Sequence, residues 1–101
     1  MKRTRVKVKQ SEGLHAGPAC EFIRLVRRFQ SEIRFRKGSL LVDGKSIVGL
    51  LMLGATLNTP LDVEVDGDDE DETVQIVEAF FAQGDRGDGS GDLGATPGQR
   101  V

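Results

Sequence analysis

Short segments in which apolar and charged residues alternate with period two recur along this chain and constrain its fold more than any other feature. In three segments every second side chain is apolar, as a strand with one buried face requires. They are RVKVKQ (5–10), SEIRFRKG (31–38) and PLDVEVDG (60–67). The segment SLLVDG (39–44) follows a short turn at Lys37-Gly38, which predicts a hairpin. Four such strands are typical of a sheet with one solvated face and one face covered by helices.

Three helices are predicted around these strands. The first covers about residues 16–29, with Pro18 in its first turn. The second covers SIVGLLMLG (46–54), where Ser46 is a good N-cap and Gly54 a good C-terminal residue. The third covers residues 68–84 and opens with acidic side chains. The apolar stripes of the first and third helices comprise Ala19, Phe22, Ile23, Val26 and Phe29, and Val74, Ile76, Val77, Phe80 and Phe81. The order is βαββαβα, which predicts an α+β fold.

A chain of 101 residues is expected to form one domain, here residues 1–84. Residues 85–101 are rich in glycine and polar residues, so we predict a disordered tail. Cys20 is the only cysteine, which excludes an internal disulfide and a zinc site of clustered Cys and His. There is no signal-peptide-like segment and no apolar run long enough to cross a bilayer, so a soluble, cytoplasmic protein is expected.

The net charge of −2 conceals a strong asymmetry along the chain. Residues 1–37 carry 11 Lys and Arg against 3 Asp and Glu, whereas residues 38–101 carry 3 against 13. A basic segment can indicate nucleic-acid binding, but here the basic residues alternate with apolar ones. We therefore expect the two halves to neutralise each other in one fold, and we predict no nucleic-acid partner.

The only histidine, His15, lies in GLHAGPACEF (13–22) at the predicted start of the first helix. It could be a phosphate carrier, a metal ligand or a helix cap. No metal is predicted, because co-ligands are lacking. We expect the free N–H groups of residues 16–19 and the helix macrodipole to stabilise a phosphoryl group bound there. A neutral imidazole is also an available nucleophile.

Three blocks, GLHAGPACEFIRLVRRFQSEI, VDGKSIVGLLMLGA and DGDDEDETVQIVEAF, resemble in order and spacing the HPr-type phosphocarriers of the bacterial sugar phosphotransferase system. The resemblance covers about residues 3–83. It implies an open-faced β-sandwich, in which three helices lie on one face of a four-stranded antiparallel sheet. This fold agrees with the predicted element order, although the order of the strands in the sheet rests on the resemblance alone.

In that family, the histidine of a GLHARPA block accepts a phosphoryl group on Nδ1 from enzyme I, which takes it from phosphoenolpyruvate. The histidine then passes the group to a sugar-specific IIA domain. His15 matches this histidine, so the resemblance implies a monomeric phosphoryl carrier without a cofactor, rather than an enzyme. The alternative is a divergent regulatory or docking protein with weak or no phosphotransfer, controlled by serine phosphorylation or by partner binding.

Gly17 stands where the family normally has an arginine that contacts the phosphoryl group. Three explanations stay open. The backbone of Ala16 and Gly17 could approach the phosphate closely, as an anion-binding nest does. Arg24, Arg27 or a partner could supply the missing charge, or transfer could be slow or absent. A second and milder departure is Gly44, where the family often has alanine.

The resemblance also assigns a candidate regulatory site and a docking surface. Ser46 matches the serine that a dedicated ATP-dependent kinase, the HPr serine kinase/phosphorylase, modifies in some members, although it could simply cap a helix. The docking surface is predicted where the first two helices meet, since exposed apolar residues beside arginines suit an acidic partner. It comprises Cys20, Arg24, Arg27, Ile47, Val48 and Leu51. Alternatively, Ile47 or Leu51 belongs to the core, and Cys20 is a small apolar filler.

Overall fold

The alternating segments form one antiparallel sheet in the computed structural model, which describes residues 1–85. Its strands are β1 (Lys2–Lys7), β2 (Glu32–Lys37), β3 (Leu40–Asp43) and β4 (Pro60–Asp66). They lie in the order β1-β4-β2-β3, so that the last strand in sequence is inserted between β1 and β2. Phe35 of β2 and Thr4 of β1 both lie opposite Val63. This register aligns the apolar side chains of neighbouring strands on one face.

Three helices cover that apolar face: α1 (Ala16–Val26), α2 (Ile47–Met52) and α3 (Glu70–Gln83). The Ser46 hydroxyl caps α2, and Gly54 follows that helix with φ 57°, as predicted. Four phenylalanines from α1, β2 and α3 meet in the core with ring centroids 5.2–5.8 Å apart. The predicted open-faced α+β sandwich is confirmed.

The predicted boundaries of the first strand and the first helix are wrong. The alternation predicts a strand over residues 5–10, whereas β1 covers Lys2–Lys7. The last residue of β1, Lys7, lies opposite Pro60, the first residue of β4. Val8 then bonds the loop before β4, where its N–H donates to the carbonyl of Thr59 at 3.0 Å. Helix α1 is predicted to reach residue 29 but ends at Val26. The N–H of Phe29 donates to the carbonyl of Val26, three residues back, so the chain turns more tightly than an α-helix.

Helix α3 buries the predicted stripe in part, and Thr73 in addition. Val74 and Ile76 are only half-buried, whereas Thr73 is fully buried. The Thr73 hydroxyl donates to the carbonyl of Asp69 at 2.8 Å, which satisfies it inside the fold. The helix begins at Glu70 rather than at residue 68. The remaining buried residues of α3 are those predicted: Val77, Phe80 and Phe81.

The other face of the sheet carries charged side chains in cross-strand ion pairs. Arg5 of β1 contacts Asp62 of β4 at 2.8 Å. Glu64 of β4 is flanked by Arg3 at 3.5 Å and by Arg34 at 3.3 Å. The basic N-terminal third and the acidic remainder therefore meet across the sheet, as the charge analysis predicts.

The end of the domain lies beside the loop that precedes α1. Asp85, the first residue of the predicted tail, accepts a hydrogen bond from the N–H of Ser11. The rest of that tail, residues 86–101, lies outside the described residues. Within the described part of the chain, no helix has both the length and the apolar character needed to cross a membrane.

Candidate functional site

The loop before α1 fixes the position of His15. The N–H of Gly13 donates to the carbonyl of Gln10 at 2.9 Å, which closes a turn. The N–H of Leu14 donates to the carbonyl of Ala55 at 2.9 Å, and the Leu14 side chain is buried. These hydrogen bonds fix the backbone at Gly13 and Leu14, the two residues before His15. His15 is therefore presented at the surface by a backbone that is anchored immediately before it.

His15 is the N-cap residue of α1, with an exposed side chain and an extended backbone. Its Nδ1 atom accepts a hydrogen bond from the N–H of Gly17 at 3.4 Å. A nitrogen that accepts a hydrogen bond carries a lone pair, so in the neutral ring the proton belongs on Nε2. The nucleophilic nitrogen is thus Nδ1, and it faces the N-terminus of the helix.

Fewer backbone donors are available at this helix end than the expected set of residues 16–19. Pro18 has no N–H, and the N–H of Ala19 donates to the carbonyl of His15 at 2.9 Å. Only the N–H groups of Ala16 and Gly17 remain for a ligand. The pair Ala16 and Gly17 stays a prediction for phosphate support, whereas Pro18 and Ala19 have no free N–H group to contribute as expected.

The space around Gly17 is open. A Cβ atom at this position would meet only the His15 ring, at 3.4 Å from Cε1 and 3.9 Å from Nδ1. A side chain would therefore fit, and packing does not require a glycine here. Arg24 lies eight residues beyond Ala16 on α1, a rise of about 12 Å along the helix axis. The other predicted helper, Arg27, lies farther along the same helix.

The immediate surroundings of His15 contain carboxylates. Glu12 shares a shallow surface depression with His15, and the Asp85 carboxylate accepts from the N–H of Ser11, four residues before His15. Contacts with Ser11, and secondarily the charge of His15, hold the pKa of Asp85 below its usual value. Among residues 1–85, no three His, Cys, Asp or Glu side chains gather as a metal site would require.

Ser46 occupies the N-cap of α2, as predicted. Its Oγ atom accepts a hydrogen bond from the N–H of Gly49 at 3.1 Å, and its side chain is half-buried. Its own N–H donates to the carbonyl of Asp43 at 3.1 Å, which ties it to the end of β3. The hydroxyl already has a structural role, so the geometry accounts for a serine here whether or not it is modified.

The predicted docking residues lie on two neighbouring segments, because α1 packs against α2. On α1, Cys20, Arg24 and Arg27 are all exposed, spaced so that they lie on one face. On α2, Val48 is 62% and Leu51 43% exposed. Ile47 instead is half-buried and packs against the core, which agrees with the alternative that Ile47 belongs to the core.

Two residues of this region are absent from the residues predicted from the sequence. Met52 is 61% exposed beside Val48 and Leu51 and extends the apolar surface. Its position four residues after Val48 places it on the same helical face, which was a usable signal. Asp85 comes near His15 only because α3 ends next to the loop before α1, and no local pattern indicates that contact.

Comparison with known proteins agrees with this geometry. Residues 2–83 match the family described as the PTS HPr component phosphorylation site. The phosphocarrier protein HPr of Neisseria meningitidis serogroup A is 33% identical over 89 residues, covering 84% of this chain and all of that protein. The HPr-like protein Crh of Halalkalibacterium halodurans is 36% identical over 81 residues, covering 80% of this chain and 96% of that one.

A solved structure shows the same arrangement of elements. The crystal structure of HPr-C-His from Thermoanaerobacter tengcongensis has a TM-score of 0.78 and 31% identity, and the match covers 82% of this chain and 93% of that one. The family match spans both the His15 loop and Ser46. The chain therefore belongs to the HPr family of phosphotransferase-system phosphocarrier proteins.

Proposed function

We propose that Nδ1 of His15 accepts a phosphoryl group from enzyme I and passes it to a sugar-specific IIA domain. One observation carries this proposal: Nδ1 faces the N-terminus of α1, where it accepts the hydrogen bond from Gly17. The exposure of the ring lets a partner's phosphorus approach along the lone pair. The family match supplies the class of reaction.

The step is an exchange of one bond to phosphorus for another. The lone pair of Nδ1 attacks phosphorus, the bond from phosphorus to the donor's atom breaks, and the donor keeps that electron pair. The ring proton stays on Nε2 during attack. The new phosphoryl group displaces the weak hydrogen bond from Gly17 and instead receives the N–H groups of Ala16 and Gly17 through its oxygens.

In the unbound carrier, Arg24 does not contact a phosphoryl group on His15. Arg24 acts instead at the interface with the partner. The helix separates Arg24 from Ala16 by more than two turns. A partner that covers the surface between them brings its own phosphorylated site beside His15 and its acidic groups beside Arg24 and Arg27. Charge complementarity of this kind mainly raises the association rate.

Phosphorylation is tested with enzyme I and phosphoenolpyruvate. We expect the mass of the full chain to rise by one phosphoryl group, in a linkage that is labile to acid and stable to base. His15→Gln removes the only histidine and is the control that must stay unlabelled. An unlabelled wild-type chain, under conditions that fully label a known HPr, would refute the carrier function.

Docking is tested at the exposed apolar surface of α2. Val48→Asp puts a charge where 62% of the side chain is exposed, so the fold should survive while partner binding weakens. Arg27→Glu should slow association and reduce its dependence on salt. Leu41→Asp, on exposed β3 away from α2, is the matched control. Equal binding by all three variants and wild type would exclude this surface.

A second candidate function is a docking or regulatory module with little phosphotransfer, controlled at Ser46. The observation that favours it is Gly17, which lacks the charged group of the family's usual arginine. A phosphoryl group on Ser46 would meet the N-terminus of α2 inside the docking surface and change its charge. Partner binding that is lost in Val48→Asp but unchanged in His15→Gln would favour this module over the carrier.

Kinase labelling decides whether Ser46 takes part. Incubation with ATP and an HPr serine kinase/phosphorylase should add one acid-stable phosphoryl group, which Ser46→Ala abolishes.

Both candidate functions imply a monomeric protein in the cytoplasm. Light scattering on the full chain measures whether it is a monomer. A mass of twice the 11.0 kDa chain would contradict the monomeric state.

A further inference from the structure

Lys37 is the last residue of β2 and lies on the side of the sheet that the helices cover. Two residues at alternate positions before it, Ile33 and Phe35, are buried on that side. Because β2 ends at Lys37, its long side chain extends past the core towards the end of α2. There Nζ of Lys37 donates to the carbonyl of Leu53 at 2.9 Å. A cation at this place complements the negative end of the helix dipole.

The ammonium group of Lys37 also lies next to the depression that contains His15. Gly54 lines this depression together with His15. A Cβ atom at Gly54 would meet only Nζ of Lys37, at 4.0 Å. No side chain at position 54 therefore lies between the ammonium group and the depression. The hydrogen-bond partner of the ammonium group is a neutral carbonyl, so its positive charge is available to an anion.

The other groups around His15 leave a phosphoryl group there without a cation. Among the described residues, the lining of the depression includes one carboxylate, Glu12, and no lysine or arginine. With glycine at position 17, α1 contributes no cation within its first turn, and Arg24 lies near the other end of that helix. Lys37 is thus a cation that the tertiary structure brings to the border of the site from another element.

We propose that Lys37 supplies the cation for the phosphoryl group on His15, by exchanging the carbonyl of Leu53 for a phosphoryl oxygen. This inference rests on the phosphocarrier function proposed above. The flexible stem of the lysine moves the ammonium group past position 54, and no covalent bond to Lys37 forms or breaks. A charge-assisted hydrogen bond to the phosphoryl oxygen is stronger than the bond to a neutral carbonyl that it replaces. The phosphoryl group then has one cationic donor beside the backbone N–H groups of α1.

Three variants separate the charge of Lys37 from its contact with α2. Lys37→Met removes the charge and the hydrogen bond, whereas Lys37→Arg keeps both. Lys2→Met is the matched control, because it changes the net charge equally at an exposed lysine that pairs with Asp71. Lys2 lies at the opposite end of β1 from the His15 loop. All variants are made in the full 101-residue chain, and urea denaturation measures any loss of stability.

The first measurement does not depend on enzyme I. Inorganic phosphate is titrated at constant ionic strength, and NMR follows the amide signals of Ala16 and Gly17 and the ε-methylene signal of Lys37. All three signals should shift along one binding curve. Lys37→Met should weaken phosphate binding at the two amides about 2- to 5-fold, the size expected of an exposed charge pair, and Lys2→Met should leave it unchanged. Equal phosphate affinity in wild type and Lys37→Met, or no shift at Lys37, would overturn the proposal.

The second measurement is the rate of transfer from enzyme I. Lys37→Met should lower kcat about 5- to 10-fold with KM for the carrier nearly unchanged, since a bound partner excludes water from the charge pair. Lys37→Arg should restore the rate. In a Gly17→Arg background, Lys37→Met should cost much less, because another cation is then present.

An equal loss of rate in the two backgrounds would show that Lys37 acts only by holding α2, and this outcome would contradict the proposal. If enzyme I never labels wild type, the carrier function fails. The phosphate titration then still decides whether Lys37 contacts an anion at His15.

Discussion

Gly17 determines what the His15 site can offer a phosphoryl group. The structure provides two backbone donors, from Ala16 and Gly17, and open space where a longer side chain would fit. A charge-assisted hydrogen bond contributes about 1.5–3 kcal/mol, and a glycine cannot provide one from a side chain. In the proposed transfer, any cationic contribution therefore comes from another residue or from the partner.

Restoring an arginine at this position should accelerate transfer. If the side chain of Gly17→Arg contacts the transferred group, a gain of about 1.5–3 kcal/mol corresponds to about 10- to 100-fold in rate. The rate of phosphoryl transfer from enzyme I, measured by rapid quench, checks this.

A neutral variant of similar size tests whether charge is responsible. Gly17→Gln should leave the rate close to that of wild type. Equal rates for wild type and Gly17→Arg would show that a partner already supplies the charge.

Gly44 lets the β2 side chains approach the turn after β3. A Cβ atom there would lie 2.6 Å from Cγ2 of Ile33 and 2.8 Å from Cε2 of Phe35, both of which belong to buried side chains. Gly44→Ala should therefore lower the free energy of unfolding by about 1–3 kcal/mol, the usual effect of overpacking. Urea denaturation measures the change.

The matched control is Gly17→Ala, because a Cβ at position 17 meets only ordinary contacts. That variant should unfold at the same urea concentration as wild type or a higher one. A loss below about 0.5 kcal/mol in Gly44→Ala would show that the core yields to the added methyl group.

At the scale of elements, the start of α3 holds the loop between α1 and β2 in place. The Asp69 carboxylate accepts from the N–H groups of Gln30 and Ser31, each at 2.9 Å, and from the Ser31 hydroxyl at 2.5 Å. The Ser31 hydroxyl, followed by these backbone donors, lowers the pKa of Asp69 to about 2. Two distant segments therefore depend on one ionised side chain.

This carboxylate should make folding stability depend on pH. The pKa of the Asp69 carboxyl is about 2 in the folded chain, against 3.8 for the free side chain. Its contribution to folding stability is therefore complete above the higher value and is lost as pH falls towards the lower one. Asp69→Asn should lower the melting temperature at pH 7 and reduce its further decline in acid. Asp68→Asn, at an exposed neighbour, is the control. Parallel pH profiles for wild type and Asp69→Asn would contradict this role.

At the scale of the whole molecule, the charge asymmetry of the sequence becomes a neutralised surface. β4 carries the acidic side chains between β1 and β2, whose outward side chains are mainly basic. Exposed ion pairs contribute little to stability, so their main effect is on the surface potential. The sheet thus presents mixed charges where the N-terminal sequence alone suggests a basic surface.

Removing the acidic partners should expose that basic surface. The double variant Asp62→Asn, Glu64→Gln should stay folded, with at most a small fall in melting temperature. It should gain weak, salt-sensitive affinity for a DNA duplex, which wild type lacks, since unpaired arginines attract phosphates. Fluorescence anisotropy at low and high salt measures this. Equal DNA binding by wild type and variant would contradict the neutralisation.

The sequence by itself determined the element types, their order and the position of His15. Period-two alternation and helical spacing are local properties of the sequence. Strands and helices can therefore be predicted wherever one of these patterns extends over several residues. The capping roles of His15 and Ser46 are equally local, because a cap bonds to N–H groups only two or three residues away. The family resemblance added the strand order, which spacing alone could not provide.

Only the tertiary structure decided where those elements end and what surrounds His15. β1 ends at Lys7, opposite the first residue of β4, and α3 begins after Asp69, whose carboxylate bonds a distant loop. Asp85 and Ser11 are in contact although 74 residues separate them in sequence. Ile33 of β2 leaves no space for a side chain at position 44. Such contacts depend on packing between segments, and a pattern confined to one segment carries no information about its neighbours.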